Sequence, residues 1–130
     1  MTLAELTVGQ QLPEWSLPLT PTTIVSTAIA TRDWQDVHHD RDIAQAAGSK
    51  DIFMNILTTN GLVEKYVADA LGHERDLTGI AIRLGAPAYP YDTLTFTGEV
   101  TEVADGVATV AVTGTVSLGA HVTGTVKVRA

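Results

Sequence analysis

Residues 55–71, NILTTNGLVEKYVADAL, decide the fold that this sequence predicts. Apolar residues recur in this stretch at intervals of three and four, and charged residues fall between them, which is typical of a helix with one face against a core. The apolar residues at this spacing are Ile56, Val63, Tyr66, Val67 and Ala70. Gly72 follows directly and predicts the end of the helix, because glycine adopts left-handed backbone angles without strain. The stretch is the one long helix that the sequence predicts.

Four runs with a period of two follow the helix and predict an antiparallel sheet. They span residues 77–84, 93–103, 107–116 and 120–129. In each run apolar side chains alternate with polar ones, as in strands that have one face on a core and the other in solvent. The alternation in the last run places Val122 inward and His121 outward, so it gives His121 no role.

The residues before the helix predict shorter elements. Three prolines within residues 1–21 exclude a helix or a central strand there, and favour an extended lead-in with at most one edge strand. Residues 22–30, TTIVSTAIA, are rich in β-branched side chains and predict a strand. Asp40 and Gly48 are a suitable cap and a suitable stop for a short helix over residues 41–47.

These elements together predict an α+β fold. One helix is long enough to cover the sheet, and a sheet curled around a single central helix satisfies that count. A chain of 130 residues is the size of a single domain, here residues 1–130. Because so small a sheet leaves its edges and part of the helix uncovered, we expect a dimer or a higher assembly.

Composition excludes several classes of function. A net charge of -7 with only eight Lys and Arg residues argues against a nucleic-acid-binding surface, which needs clustered cations. The absence of cysteine excludes disulfides and thiolate zinc sites and fits a reducing compartment. No apolar run approaches the ~20 residues of a membrane span, and the N-terminus lacks the pattern of a signal peptide. The sequence therefore predicts a cytoplasmic protein that binds no membrane.

The polar stretch 31–40, TRDWQDVHHD, sets three carboxylates and two imidazoles in ten residues. Asp33 and His38 are five residues apart, so their side chains converge only if the chain between them bends. A carboxylate and an imidazole that meet over a pocket can hold a water between them and move its protons, which suits the addition or elimination of water at a polarised double bond. Composition alone favours a solvated loop or helix capping instead.

The other polar residues of this stretch have simpler interpretations. Asp36 and Asp40 are typical turn and cap residues. His39 should point away from His38, and Trp34 is more typical of a packing anchor than of a substrate platform. A metal site built from the two histidines and the nearby Asp residues is chemically allowed, but the spacing matches no ligand motif, and we predict no metal.

Two stretches, residues 33–40 and residues 87–94, carry spaced motifs that resemble those of the MaoC-like (R)-specific enoyl-CoA hydratases. The series Asp33, four residues, His38, one residue, Asp40 is similar to the hallmark of that family, and residues 87–94, PAYPYDTL, are similar to its Pro-Val-x-Pro-Gly-Asp-Thr-Leu signature. The resemblance implies a single hot-dog fold, in which an antiparallel sheet wraps one long central helix. It also implies that Asp33 and His38 are the catalytic residues, and that no cofactor is needed because coenzyme A is part of the substrate.

The chain departs from the family pattern near its proposed substrate contacts. Gln35-Asp36 stands where the family has Asn-Pro, and Met54-Asn55-Ile56 stands where it has Ala-His-Gly. The resemblance assigns oxyanion or substrate binding to Ile56, Asn55 and Gln35. Ile56 replaces a glycine whose backbone N–H is the oxyanion donor, and a backbone N–H survives that replacement.

Residues 32–40 and 51–62 look most like the small MaoC-like subunits of actinobacterial steroid side-chain hydratases. This resemblance implies a steroid enoyl-CoA substrate and a hetero-oligomer with a second MaoC-like subunit, with a homodimer as the alternative. Two other functions stay open, namely a hot-dog acyl-CoA thioesterase and a non-catalytic binding subunit of a hetero-oligomeric hydratase.

Overall fold

Residues 5–129 are described by a computed structural model. Strand β1 (Gln11–Pro18) is followed by helix α1 (Pro21–Ala30), a 3-10 turn (Asp36–His38), the short helix α2 (Arg41–Ala46) and the long helix α3 (Ile56–Leu71). The remaining strands are β2 (Asp76–Leu84), β3 (Thr93–Ala104), β4 (Val107–Val116) and β5 (Gly119–Arg129).

The five strands form one antiparallel sheet in the order β1-β3-β4-β5-β2. Helix α3 contacts both edge strands, β1 and β2, as well as β3 and β5. A helix can reach both edges of a five-stranded sheet only if the sheet curls around it. The predicted α+β arrangement of a sheet around a central helix is therefore confirmed. Val63, Tyr66 and Val67 of α3 are buried in the core that this arrangement encloses.

Helix α1 overturns the prediction of a strand over residues 22–30. The side chain of Thr20 accepts a hydrogen bond from the backbone N–H of Thr23 at 3.0 Å, and Pro21 occupies the first turn. A capped first turn with proline at its start favours a helix. Ile24 and Ala28, four residues apart on one face, are fully buried. Capping and burial therefore override the weak strand preference of the β-branched residues.

The other secondary-structure elements predicted before residue 72 are present. Strand β1 lies at the edge of the sheet, where proline is tolerated; residues 1–4 of the lead-in lie outside the described residues. Asp40 caps α2 by accepting from the N–H of Ile43 at 3.2 Å, and Gly48 follows with a φ of 96°. Helix α3 ends at Gly72, whose φ is 114°.

The four predicted strands are present within one residue of their expected ends, but the outward position of His121 is wrong. Thr115 pairs with Ala120 and Gly114 pairs with Val122, so His121 is an extra residue on β5. An extra residue of this kind is a β-bulge, and it breaks the alternation of faces. His121 and Val122 are consequently both buried, with 2% and 1% of their surfaces exposed.

Two strand glycines provide a test of how closely β2 and β5 pack. A Cβ added at Gly124 would lie 2.4 Å from the carbonyl oxygen of Ala81, whereas a Cβ at Gly79 would meet nothing closer than the Cβ of Lys127 at 4.0 Å. We expect Gly124→Ala to lower the free energy of unfolding by about 2 kcal/mol, because backbone must move to relieve the clash. The matched variant Gly79→Ala should be neutral or slightly stabilising. Equal effects of the two variants in urea denaturation would contradict this packing.

Candidate active site

The stretch after α1 folds back and brings Asp33 to His38. Arg32 has a left-handed φ of 58°, and the N–H of Asp33 donates to the carbonyl of Ala28 at 2.9 Å. Asp33 Oδ1 then accepts from the N–H of Gln35 at 3.3 Å, and the 3-10 turn begins at the next residue. As a result, His38 Nε2 lies 3.4 Å from Asp33 Oδ2. The bend that this pairing requires is present.

The orientation of the His38 ring is fixed by its second nitrogen. Nδ1 lies 2.7 Å from the carbonyl oxygen of Phe53. Since a carbonyl oxygen only accepts, Nδ1 carries the proton. The ring also packs edge-on against the Phe53 ring, with centroids 5.0 Å apart. Nε2 therefore lies on the side of Asp33, and whenever it is unprotonated its lone pair is available to accept a proton there.

Asp33 and His38 face a cleft of about 330 Å³. Gln35 lies beside them, and Phe53, Met54 and Ile56 line the cleft where the chain enters α3. Residues 84–87, which we call the cleft wall, also line the cleft, as does His121. An acid-base pair thus opens onto a pocket with a mostly apolar lining.

The start of α3 supplies hydrogen-bond donors to this cleft. The N–H groups of the first turn of a helix lack partners within the helix and carry the positive end of its dipole. Ile56 is the first residue of α3, lines the cleft and is 51% exposed. Such N–H groups can stabilise negative charge that develops on an oxygen in the cleft.

The side chain of Asn55 holds two helices together. It is buried, and its Nδ2 donates to Thr31 Oγ1 at 2.9 Å, while its Oδ1 accepts from the hydroxyl of Thr58. These bonds join the end of α1 to the start of α3. Of the three residues that the sequence predicts to contact substrate, Gln35 and Ile56 line the cleft, whereas Asn55 does not line it and its amide is engaged in these two hydrogen bonds.

The remaining residues of the polar stretch lie away from the cleft. His39 pairs with Asp36 at 3.6 Å on the surface. Trp34 is 63% exposed, so its prediction as a packing anchor is wrong. Within residues 5–129 there is no group of three or more His, Cys, Asp or Glu side chains arranged to hold a metal ion. Nor does this part of the chain contain a helix long and apolar enough to cross a membrane.

His121 is the residue of this site that sequence reasoning missed. Its Nδ1 lies 2.7 Å from the carbonyl oxygen of Ala86 in the cleft wall, and its Nε2 lies 2.8 Å from Thr59 Oγ1 in α3. Burial lowers the pKa of His121 below the ordinary value of an imidazole. The period-two pattern of β5 carries no sign of the bulge that turns this side chain inward.

The lowered pKa of His121 predicts a loss of stability in acid. The unfolded chain takes up a proton on this imidazole at about pH 6.5, whereas the folded chain resists protonation until a lower pH. The unfolded state therefore binds more protons in that window, and the free energy of unfolding should fall as the pH falls through it. Urea denaturation between about pH 7.5 and 5.5 measures this loss, and His121→Asn should reduce it. An unchanged pH dependence in His121→Asn would contradict the prediction.

Comparison with known proteins identifies the family. The sequence profile of the MaoC like domain matches residues 5–121. The chain belongs to the MaoC-like family. It is 61% identical over 120 residues to the 3-oxo-4,17-pregnadiene-20-carboxyl-CoA hydratase beta subunit of Mycobacterium tuberculosis, covering 92% of this chain and 93% of that protein.

Solved structures of MaoC-like proteins share this architecture. A chain of the ChsH1-ChsH2 complex from Mycobacterium tuberculosis matches with a TM-score of 0.93 and 59% identity, over 95% of this chain and 97% of that one. The (R)-hydratase from A. caviae involved in PHA biosynthesis matches with a TM-score of 0.88 at 21% identity, over 96% and 97% of the two chains. These likenesses confirm the predicted hot-dog fold.

The second MaoC-like motif, residues 87–94, connects the cleft wall to the sheet. The carbonyl of Ala88 accepts from the N–H of Met54 at 3.0 Å, just before α3. Asp92 accepts from the hydroxyl of Ser117 at 2.7 Å and from the N–H of Thr93 at 2.7 Å, and these hydrogen bonds lower its pKa. Tyr91, with a φ of 69°, has the left-handed backbone that favours the glycine of the family pattern. These contacts tie the segment that follows the cleft wall to the start of α3 and to the turn between β4 and β5.

Proposed function

We propose that this chain is the catalytic subunit of an enoyl-CoA hydratase, which adds water to the double bond of a 2-enoyl-CoA thioester. The observation that carries this proposal is the 3.4 Å distance between Asp33 Oδ2 and His38 Nε2. Both residues line a cleft that is also lined by Ile56, the first residue of α3. It is supported by membership of the MaoC-like family and by the 61% identity to a protein named as a CoA hydratase subunit.

The geometry suits a water held between the two side chains. The Asp33 carboxylate accepts a hydrogen bond from the water, and His38 Nε2 removes its other proton as the oxygen bonds to the β-carbon of the substrate. The electrons of the double bond move toward the thioester carbonyl, whose oxygen becomes enolate-like. The free N–H groups at the start of α3 stabilise that oxygen. His38 then returns its proton to the α-carbon, so the product is a 3-hydroxyacyl thioester.

The anchoring of His38 favours this assignment of roles. With Nδ1–H donating to the Phe53 carbonyl, the imidazolium that forms when Nε2 takes a proton keeps the same ring position. That imidazolium lies against the Asp33 carboxylate, which stabilises its charge. Every proton removed is returned and no electron is gained or lost, so the proposed reaction requires no redox cofactor. In this proposal the N–H groups at the start of α3 polarise the thioester carbonyl, a role that a metal ion would otherwise fill.

The substrate class and the partner form part of the proposal. The name of the Mycobacterium tuberculosis relative supports a steroid side-chain enoyl-CoA as the substrate, and the matching ChsH1-ChsH2 complex supports a second MaoC-like subunit as the partner. Apolar side chains are exposed at the cleft and on the neighbouring edge strand β2, which supports a covering subunit. These are Ile56, Leu57, Ile80 and Leu84. A cytoplasmic location follows from the proposed substrate, because coenzyme A thioesters are intracellular metabolites.

The test is a hydration assay on the assembly purified from its native host. A 2-enoyl-CoA with a shortened steroid side chain should lose the absorbance of its conjugated double bond and gain the mass of one water. The saturated acyl-CoA is the control and should remain unchanged. Release of free thiol without hydration would instead identify a thioesterase. Full hydration by an assembly that carries Asp33→Asn in this chain would identify a non-catalytic subunit.

A further inference from the structure

We propose that His121 is a positioning residue of the cleft, whose imidazole holds the cleft wall at a fixed distance from the start of α3. This inference rests on the proposed hydratase function for its kinetic consequence. Its structural basis is a pair of short contacts, 2.7 Å from Nδ1 to the Ala86 carbonyl oxygen and 2.8 Å from Nε2 to Thr59 Oγ1. Ala86 belongs to the cleft wall and Thr59 to the first turns of α3.

The two contacts determine the proton positions on the ring. The Ala86 carbonyl only accepts, so Nδ1 of His121 carries a proton and donates it. Burial favours the neutral ring, whose Nε2 then has a lone pair and accepts from the Thr59 hydroxyl. Thr59 is completely buried, and the Asn55 carbonyl oxygen lies at 3.4 Å as an alternative acceptor for its hydroxyl proton. The contact with His121 Nε2 is the shorter of the two, at 2.8 Å. The imidazole is thus an uncharged bridge between two backbone segments.

The backbone beside His121 leaves the cleft wall little freedom. The N–H of Gly85 donates to the His121 carbonyl, and the N–H of Ala86 donates to the Ala120 carbonyl, each at 2.8 Å. A Cβ at Gly85 would lie 2.4 Å from the Ala120 carbonyl oxygen, so the wall approaches β5 more closely than any other residue type permits. The bulge turns His121 inward at this point, so its ring reaches from the wall to α3.

His121 and His38 both line the cleft, and each ring anchors a different backbone segment of it. His38 Nδ1 donates to the Phe53 carbonyl, and the N–H of Met54 donates to the Ala88 carbonyl at 3.0 Å. His121 makes the corresponding link from Ala86 to α3. These hydrogen bonds hold the segments that line the cleft between the acid-base pair and the first N–H groups of α3. Loss of the His121 bridge should let the first turn of α3, which carries the N–H donors, shift relative to Asp33 and His38.

The matched pair Thr59→Val and Thr59→Ser tests the bridge in the purified assembly. Valine has nearly the shape of threonine but no hydroxyl, whereas serine keeps the hydroxyl. We expect Thr59→Val to lower kcat by about tenfold with a change in KM below about twofold, because misplacement of oriented groups affects the transition state most. Thr59→Ser should recover kcat to within about threefold of the wild type. The assays are run well below the unfolding temperature of each variant.

His121→Asn supplies a second and independent removal of the same link. Its amide nitrogen can replace Nδ1 as the donor to the Ala86 carbonyl but does not reach Thr59. The variant should lower kcat as Thr59→Val does, and the double variant should be no slower than either single one, because both remove one interaction. His73→Asn is the control, since His73 is exposed beyond the other end of α3 and pairs with Asp69 at 2.6 Å. It should leave kcat unchanged.

Nitrogen-15 NMR of histidine-labelled protein tests the His121 bridge directly and needs no enzyme assay. In the wild type the His121 signals should show the neutral ring with the proton on Nδ1, and Thr59→Val should shift the Nε2 signal. A proton on Nε2 in the neutral ring would overturn the inference. So would equal kcat in Thr59→Val and Thr59→Ser, or additive losses in the double variant. An assembly that gives the expected NMR signals but hydrates no enoyl-CoA would refute the proposed function and, with it, the kinetic role, while the bridge itself would stand.

Discussion

Asp33→Asn and His38→Asn are each expected to lower the hydration rate by about 10³-fold while the protein stays folded. Asparagine is nearly isosteric with aspartate but takes up no proton, so the water at Asp33 loses its charged acceptor. At position 38 the asparagine amide can still donate to the Phe53 carbonyl in place of Nδ1, but the general base at Nε2 is removed. Initial rates of 2-enoyl-CoA hydration by the purified assembly measure both losses.

The neighbouring histidine provides the control for this experiment. His39 is exposed and pairs with Asp36 at 3.6 Å, so His39→Asn should keep the full rate. Circular dichroism and thermal unfolding should show that all three variants are folded at the assay temperature. More than about a tenth of the wild-type rate in Asp33→Asn or in His38→Asn would refute the assignment of that residue as catalytic.

Phe96→Ala is expected to cause the largest loss of stability, about 4 kcal/mol in the free energy of unfolding. Phe96 of β3 has no exposed surface, and its ring stacks between those of Trp15 and Tyr66, with centroid distances of 5.4 and 5.5 Å. A Cβ at Gly114 would lie 3.1 Å from this ring, so the space on that side is also filled. Truncation therefore leaves a cavity that rigid neighbours on several sides cannot close.

Two variants calibrate the loss in Phe96→Ala. Phe96→Leu keeps most of the volume and should cost about 1.5 kcal/mol. Leu118→Ala removes an apolar side chain from a hairpin turn where it is 65% exposed, and should change stability by less than about 0.5 kcal/mol. Urea denaturation of the three variants measures the series. A loss in Phe96→Ala as small as that in Phe96→Leu would mean that the core collapses into the cavity.

Local sequence signals predicted the elements on which the site is built. Helix α3 was predictable because its apolar spacing is helical over four turns and Gly72 ends it. Strands β3, β4 and β5 were predictable because each has a face with buried residues, and β2 because its apolar residues alternate along the run. Asp33 and His38 were nominated as a pair by residue type and by resemblance to the MaoC-like motif. Their convergence remained conditional, because a five-residue separation brings two side chains together only through a bend.

The missed features have identifiable causes. Helix α1 was misread because the β-branched residues of 22–30 were weighed above the cap at Thr20 and the proline at 21, which were already visible in the sequence. Trp34 was taken as a packing anchor because large aromatic residues are usually buried, but it lies on a surface loop of this chain. His121 was placed outward because strict alternation holds only where a strand has no bulge.

The sequence alone determined the element order after residue 40, the central helix and the antiparallel sheet, because these follow from periodicity and capping along the chain. Its spaced motif predicted Asp33 and His38 as the acid-base pair. Only the tertiary structure decided that Asp33 and His38 approach within 3.4 Å, that the Asn55 amide is engaged between α1 and α3, and that His121 joins the cleft wall to α3. Each of these features depends on a contact between segments far apart in the chain or on a break in the regular backbone. Such contacts leave no periodic trace in the sequence.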